Sequence, residues 1–88
     1  MRLYIGHLHF DCNEQDLRDA FGRFGEVLDA TVIIDRATGR SRGFGFVTFT
    51  SREDGERAVA ALNGAVLFGR EIRVNEARPF RVHEFAQD

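Results

Sequence analysis

The side chains of this chain with the widest chemical reach are aromatic rings and guanidinium groups. Tyr4 lies in Leu3-Tyr4-Ile5-Gly6, and Phe44 and Phe46 lie in Phe44-Gly45-Phe46-Val47-Thr48-Phe49. Both segments are rich in β-branched and aromatic residues, as strands are. Successive strand side chains face opposite ways. Leu3 and Ile5 therefore oppose Tyr4, while Gly45, Val47 and Phe49 oppose Phe44 and Phe46. If Leu3, Ile5, Val47 and Phe49 form the floor of a core, three large rings are left facing water. Such a patch invites association. Packing under the C-terminal tail or cross-strand support would make it structural. Stacking on nucleobases would make it functional, at about 1–3 kcal/mol per base in any sequence. Arg42 stands beside the rings, and a guanidinium forks onto phosphate oxygens as an ammonium cannot.

Other candidate chemistry is weaker. His7, His9 and Cys12 are close in sequence, but His-x-His-x-x-Cys matches no common zinc spacing and lacks a clear fourth ligand, so no metal is expected. Gly43-x-Gly45 lies inside a strand with no Gly-Lys-Ser/Thr after it, which excludes a phosphate loop. Ser41 and Ser51 have no evident His and Asp partners, and an open sheet is not a pocket, so no enzyme and no cofactor are expected.

The positioning elements follow from periodicity and punctuation. Asn13 reads as a helix N-cap with Asp16 as the returning acid. Leu17, Ala20, Phe21 and Phe24 form one apolar helical stripe, and Gly25 is a natural stop. Val27 to Ile34 reads as a second strand and Asp35 to Arg42 as a hairpin loop. After the strand Phe44 to Phe49, Ser51 caps a second helix with Ala58, Val59 and Leu62 inward, ended by Asn63-Gly64. Glu71 to Asn75 alternates and gives the fourth strand. The order is βαββαβ. The economical α+β solution is a ferredoxin-like sandwich: a four-stranded antiparallel sheet with both helices on one face. Gly55, inside the second helix, costs about 1 kcal/mol against Ala and has no evident purpose in the sequence.

Eighty-eight residues hold one small core. The single cysteine excludes an internal disulfide. The longest apolar run, Ala58 to Leu62, is far short of a membrane span, and the N-terminus lacks a signal-peptide layout. A reducing, cytoplasmic location is expected, or a nuclear one in a eukaryote. Net charge is −2, which does not advertise a nucleic-acid partner. The charges are uneven, however. Arg36, Arg40 and Arg42 cluster, while Glu14, Asp16, Asp19, Glu53, Asp54 and Glu56 lie elsewhere, and every basic residue is Arg.

The segment Arg42-Gly43-Phe44-Gly45-Phe46-Val47-Thr48-Phe49 matches the ribonucleoprotein octapeptide at each defined position. Leu3-Tyr4-Ile5-Gly6-His7-Leu8 resembles the companion hexapeptide. The chain thus resembles an RNA recognition motif over residues 2 to about 78. Within that family it is most similar to single-motif RNA-binding proteins of the bacterial, chloroplast and cold-inducible type. Asp35 to Gly43 and Val74-Asn75-Glu76-Ala77-Arg78-Pro79 carry that likeness. The resemblance implies that Tyr4 and Phe46 each stack a base, that Phe44 lies against sugars and that Arg42 pairs with a phosphate, with Arg40 as a further contact. It also implies that Arg73, Asn75 and Arg78 touch base edges or backbone.

Two departures stand out. His7 occupies a position where the hexapeptide usually has Asn. Members of this type often run into a basic, glycine-rich tail, whereas here the chain ends in the mixed, aromatic Phe80 to Asp88. Residues 1–78 are read as the motif and 79–88 as a tail, whose Phe80, Val82 and Phe85 are expected to fold back. The expected partner is short single-stranded RNA, bound by a monomer with no membrane and no small-molecule substrate. The alternatives are single-stranded DNA, since stacking does not see a 2′-hydroxyl, and a peptide docked on the helical face. The second suits the acidic first helix but lacks the Arg-x-Phe element that such modules carry.

Overall fold

The computed structural model describes residues 1–77. Its elements are β1 (Arg2–Gly6), α1 (Glu14–Phe21), β2 (Val27–Ile34), β3 (Ser41–Phe49), α2 (Arg52–Leu62), β4 (Val66–Leu67), β5 (Arg70–Glu71) and β6 (Arg73–Glu76). The main sheet has the order β2-β3-β1-β6, and every neighbouring pair is antiparallel. β1 and β3, which carry the rings, are therefore the two central strands. Leu3, Ile5, Val47, Phe49 and Val74 point from the sheet into the core, all at most 1% exposed. Leu17 and Phe21 of α1 and Ala58 of α2 close that core from the other side. The fold class expected from the residue pattern is the one formed.

Both helix starts are built as the sequence indicates. Asn13 Oδ1 accepts from the Asp16 N–H at 2.9 Å, and Asp16 Oδ2 accepts from the Asn13 N–H at 2.9 Å, a complete capping box. Ser51 Oγ accepts from the Asp54 N–H at 3.4 Å, while the Asp54 carboxylate pairs with Arg57. The end of α1 differs from expectation. The helix stops at Phe21 with Gly22 as its cap, three residues before Gly25. Phe24 still packs against the core from the following turn, so the apolar stripe outlasts the helix.

The last strand also differs. The expected Glu71 to Asn75 is two strands with Ile72 between them. Arg70–Glu71 pairs with Val66–Leu67 in a small hairpin, whereas Arg73–Glu76 joins β1 in the main sheet. The buried Ile72 bonds back to Gly64 and Ala65, and Asn63 Oδ1 accepts from the Val74 N–H at 3.0 Å. The hairpin turn is Phe68-Gly69, with φ of 55° and 75°. Two positive φ values make a mirror-type turn that suits Asn-Gly. Phe68 holds that conformation at a cost of about 1–2 kcal/mol.

Gly55 acquires a reason here. It is buried, and a Cβ on it would lie 2.6 Å from the Met1 sulfur. The missing side chain leaves room for the Met1 side chain against α2, while the Met1 amino group donates to the carbonyl of Phe49 at the end of β3 at 2.9 Å. Of the expected inward residues of α2, only Ala58 is fully buried. Val59 and Leu62 pack at its margin.

His7 also has a conformational role. Its φ is 60°, the left-handed region, directly after β1. Asn and His tolerate that region better than most residues, and β-branched residues least. This accounts physically for Asn being usual at this position and for His replacing it. His7→Val is expected to lower stability by about 1–2 kcal/mol, and His7→Asn to leave it unchanged or slightly higher. Thermal melts of the two variants check this.

Candidate nucleic-acid interface

Cross-strand register assembles the site. Tyr4 is directly opposite Phe46 on β3 and Asn75 on β6, and Gly6 is opposite Phe44 and Arg73. The ring centroids of Tyr4, Phe44 and Phe46 form a near-equilateral triangle: 5.9 Å for Tyr4–Phe44, 5.9 Å for Tyr4–Phe46 and 6.2 Å for Phe44–Phe46. Tyr4 and Phe44 are inclined by only 33°, while Phe46 stands edge-on to both. Tyr4 is 36% exposed and the two Phe rings are half-buried. A Cβ at Gly6 would lie 3.0 Å from the Tyr4 ring, so the tyrosine lies along its own strand above that glycine.

The expected cations take up positions around this triangle. Arg42 is exposed at the start of β3 and, with Tyr4 and Phe44, borders an open depression of about 400 Å³. Gly43 next to it has φ of 86°, and its carbonyl accepts from the Leu8 N–H at 2.9 Å. This left-handed residue ties the loop after β1 to the arginine-bearing end of β3. Arg73 and Asn75 are exposed on either side of the buried Val74, on the ring face of β6. Arg40 does not join the rings. It is exposed in the β2–β3 loop and borders a neighbouring depression with Asp11. Arg78 and the tail 79–88 lie outside the described residues.

One residue of this face was not anticipated. The guanidinium carbon of Arg2 lies 4.3 Å from the centroid of the Phe46 ring. A cation over an aromatic face at this distance is attractive by about 0.5–1 kcal/mol at an exposed site. Alternation held the signal, since Arg2 is two residues from Tyr4 and shares its face. A base approaching Phe46 must displace Arg2 or slide beneath it.

The metal-like trio is not brought together. Cys12 is buried in the core, and burial, with the nearby Asp16 carboxylate second, pushes its thiol up to about 11. His9 Nδ1 accepts from the Asp11 N–H at 3.0 Å, and His7 is exposed at its turn.

An antiparallel βαββαβ sheet with bare rings on its two central strands and both helices behind it defines a class, and the chain belongs to the RNA recognition motif family, whose model matches residues 3–73. Its aromatic sheet face fits RNA binding. It is 54% identical over 76 residues to the mitochondrial glycine-rich RNA-binding protein 3 of Arabidopsis thaliana, covering 86% of this chain and 25% of that protein. Its fold superposes on the crystal structure of RNA binding protein PG1 with a TM-score of 0.86 and 43% identity, covering 91% of this chain and 99% of that one. It also superposes on the Sex-lethal protein in complex with RNA, with a TM-score of 0.85 and 32% identity over 92% of this chain and 48% of that one. The chain spans between about a quarter and just over half the length of the curated relatives it matches.

Proposed function

We propose that the chain binds short single-stranded RNA on its open sheet face, as a binding module and not as a catalyst. The observation that carries this reading is the triangle of Tyr4, Phe44 and Phe46 rings, 5.9–6.2 Å apart on adjacent central strands. Tyr4 and Phe46 each stack a base, Phe44 lies against the sugars between them and Arg42 takes a phosphate. Arg73, Asn75 and Arg78 meet base edges or backbone, and Arg40 makes an outer contact from its loop. The relatives' names and the RNA-bound Sex-lethal neighbour support this assignment. RNA is favoured over DNA by those names, while stacking itself serves both. The cytoplasmic expectation has no support from relatives named as mitochondrial, and a mitochondrial setting suits the same chemistry.

Salt tests the reading. Three to four arginines on phosphates give a log–log slope of affinity against salt of roughly −2 to −3, at about −0.7 per contact on a single strand. Fluorescence anisotropy with a labelled RNA at several salt concentrations reads the slope. A slope near zero would contradict the phosphate contacts and point to a peptide partner.

A further inference from the structure

Phe10 is the most exposed aromatic ring among the described residues, at 63%. Nothing about the stacking triangle requires it. It follows β1 by four residues, and its ring lies against His9, centroids 4.5 Å apart and inclined by 32°. His9 in turn neighbours Phe68, at 6.3 Å. Phe68 is itself half-exposed and held at the strained first position of the β4–β5 turn. Two loops distant in sequence thus present rings side by side, one of them against local backbone preference. Strain of that kind persists where something else requires the side chain.

The surroundings indicate what the Phe10 ring meets; Phe68 and His9 do not border the depression beside it. The open depression of about 400 Å³ runs from Tyr4 and Phe44, past His7 and Arg42, to Phe10 and Arg70. It is continuous with the stacking triangle. Two guanidinium groups border it and, among the described residues, no carboxylate does. Among the described residues, neither Arg42 nor Arg70 forms an ion pair. The adjoining depressions, which Phe10 also borders, both include the Asp11 carboxylate. An aromatic platform with unpaired cations and no acid suits a nucleotide better than an acidic peptide. The volume also falls within the usual range for small-ligand sites.

We propose that Phe10 and Arg70 form an additional nucleotide subsite, which carries the RNA off the sheet edge onto the loops beyond β1. The added base stacks on Phe10, and its phosphate lies between Arg70 and Arg42. This rests on the RNA-binding reading and lengthens its track by one nucleotide, at one end only. Phe10 needs no rearrangement to serve, because its ring is already in water.

The test uses randomised RNA oligonucleotides of four to eight nucleotides, with dissociation constants measured by anisotropy for the parent, Phe10→Ala, Phe10→Tyr and Arg70→Gln. For the parent, affinity should rise at least about fivefold at one added nucleotide, the effect of one stacked base. Phe10→Ala should abolish that step while leaving the four-nucleotide affinity within about twofold, and Phe10→Tyr should restore it. Arg70→Gln should shrink the step and make it less sensitive to salt. An abasic nucleotide at one end of the longer oligonucleotide should remove the step from the parent, and at the other end should not. The proposal is overturned if Phe10→Ala weakens all lengths equally, if it leaves the step intact, or if the parent shows no step. Failure of the parent to bind even the longest oligonucleotide would instead overturn RNA binding itself. Because the Phe10 ring lies mostly in solvent, all variants should melt within a few degrees of the parent, about what a surface substitution shifts.

Discussion

Phe49→Ala is expected to destabilise the domain by about 3–5 kcal/mol, a large part of the roughly 5–15 kcal/mol that holds a typical domain folded. Phe49 is 1% exposed, and its ring lies 6.5 Å from that of Phe21, between the central strand β3 and helix α1. Truncation removes the largest buried side chain of the sheet and leaves a cavity that rigid neighbours on both layers cannot fill. Its backbone also anchors the start of the chain, with the Phe49 N–H donating to the Met1 carbonyl at 2.7 Å. In a domain of this size each kcal/mol moves the melting temperature by about 4–8 °C, so the midpoint should fall by more than about 10 °C. A melt that matches the parent would contradict the core assignment.

Phe46→Ala should have the opposite profile. Phe46 is three residues before Phe49 and faces the other side of the sheet. Its ring is not largely in water, as the sequence pattern suggests, but half-buried among Tyr4, Phe44 and the Arg2 guanidinium. Some stability is therefore lost, though much less than at Phe49. The larger loss is in RNA affinity: about 1–3 kcal/mol, roughly ten- to hundredfold, for one stacked base. Tyr4→Ala should behave alike. Anisotropy titrations at a temperature where both variants are shown to be folded separate the effects. A folded Phe46→Ala variant with parental affinity would refute stacking at this ring.

Much of this was legible from the residues because the β-period is strict. A one-residue error in register would have reversed every side chain of β1 and β3, so the apolar positions alone separate Leu3, Ile5, Val47 and Phe49 from the rings. The capping residues Asn13 and Ser51 marked the helix starts for similarly local reasons. Two boundaries were not legible. Ile72 and Val74 both point inward, so the alternation runs unbroken across the point where β5 gives way to β6 and the hydrogen-bond partner changes. Phe24 continues the spacing of α1 although the helix has ended at Gly22. At the site, alternation puts Arg2 on the ring face, but a charged residue at the start of a strand is ordinarily solvated, and only the folded chain lays its guanidinium over Phe46. The left-handed backbone at His7 and Phe68 was invisible because neither is glycine or asparagine. The neighbouring rings of His9 and Phe68 depend on two loops meeting, which only the folded chain brings about.

The register that pairs Tyr4 with Phe46 and Gly6 with Phe44 bears on how entropy is divided when a strand is bound. β1 and β3 are hydrogen-bonded to each other and lie between β2 and β6, so the spacing of the three rings is held by backbone that is ordered before any encounter. The protein loses little freedom, beyond the release of Arg2 from Phe46. The single strand, which is flexible in solution, takes nearly all of the ordering cost. Binding should therefore be enthalpy-driven with an opposing entropy set by the RNA. Strands already stacked or paired with themselves must first be opened, so accessibility of the RNA is expected to be part of the selectivity of this surface.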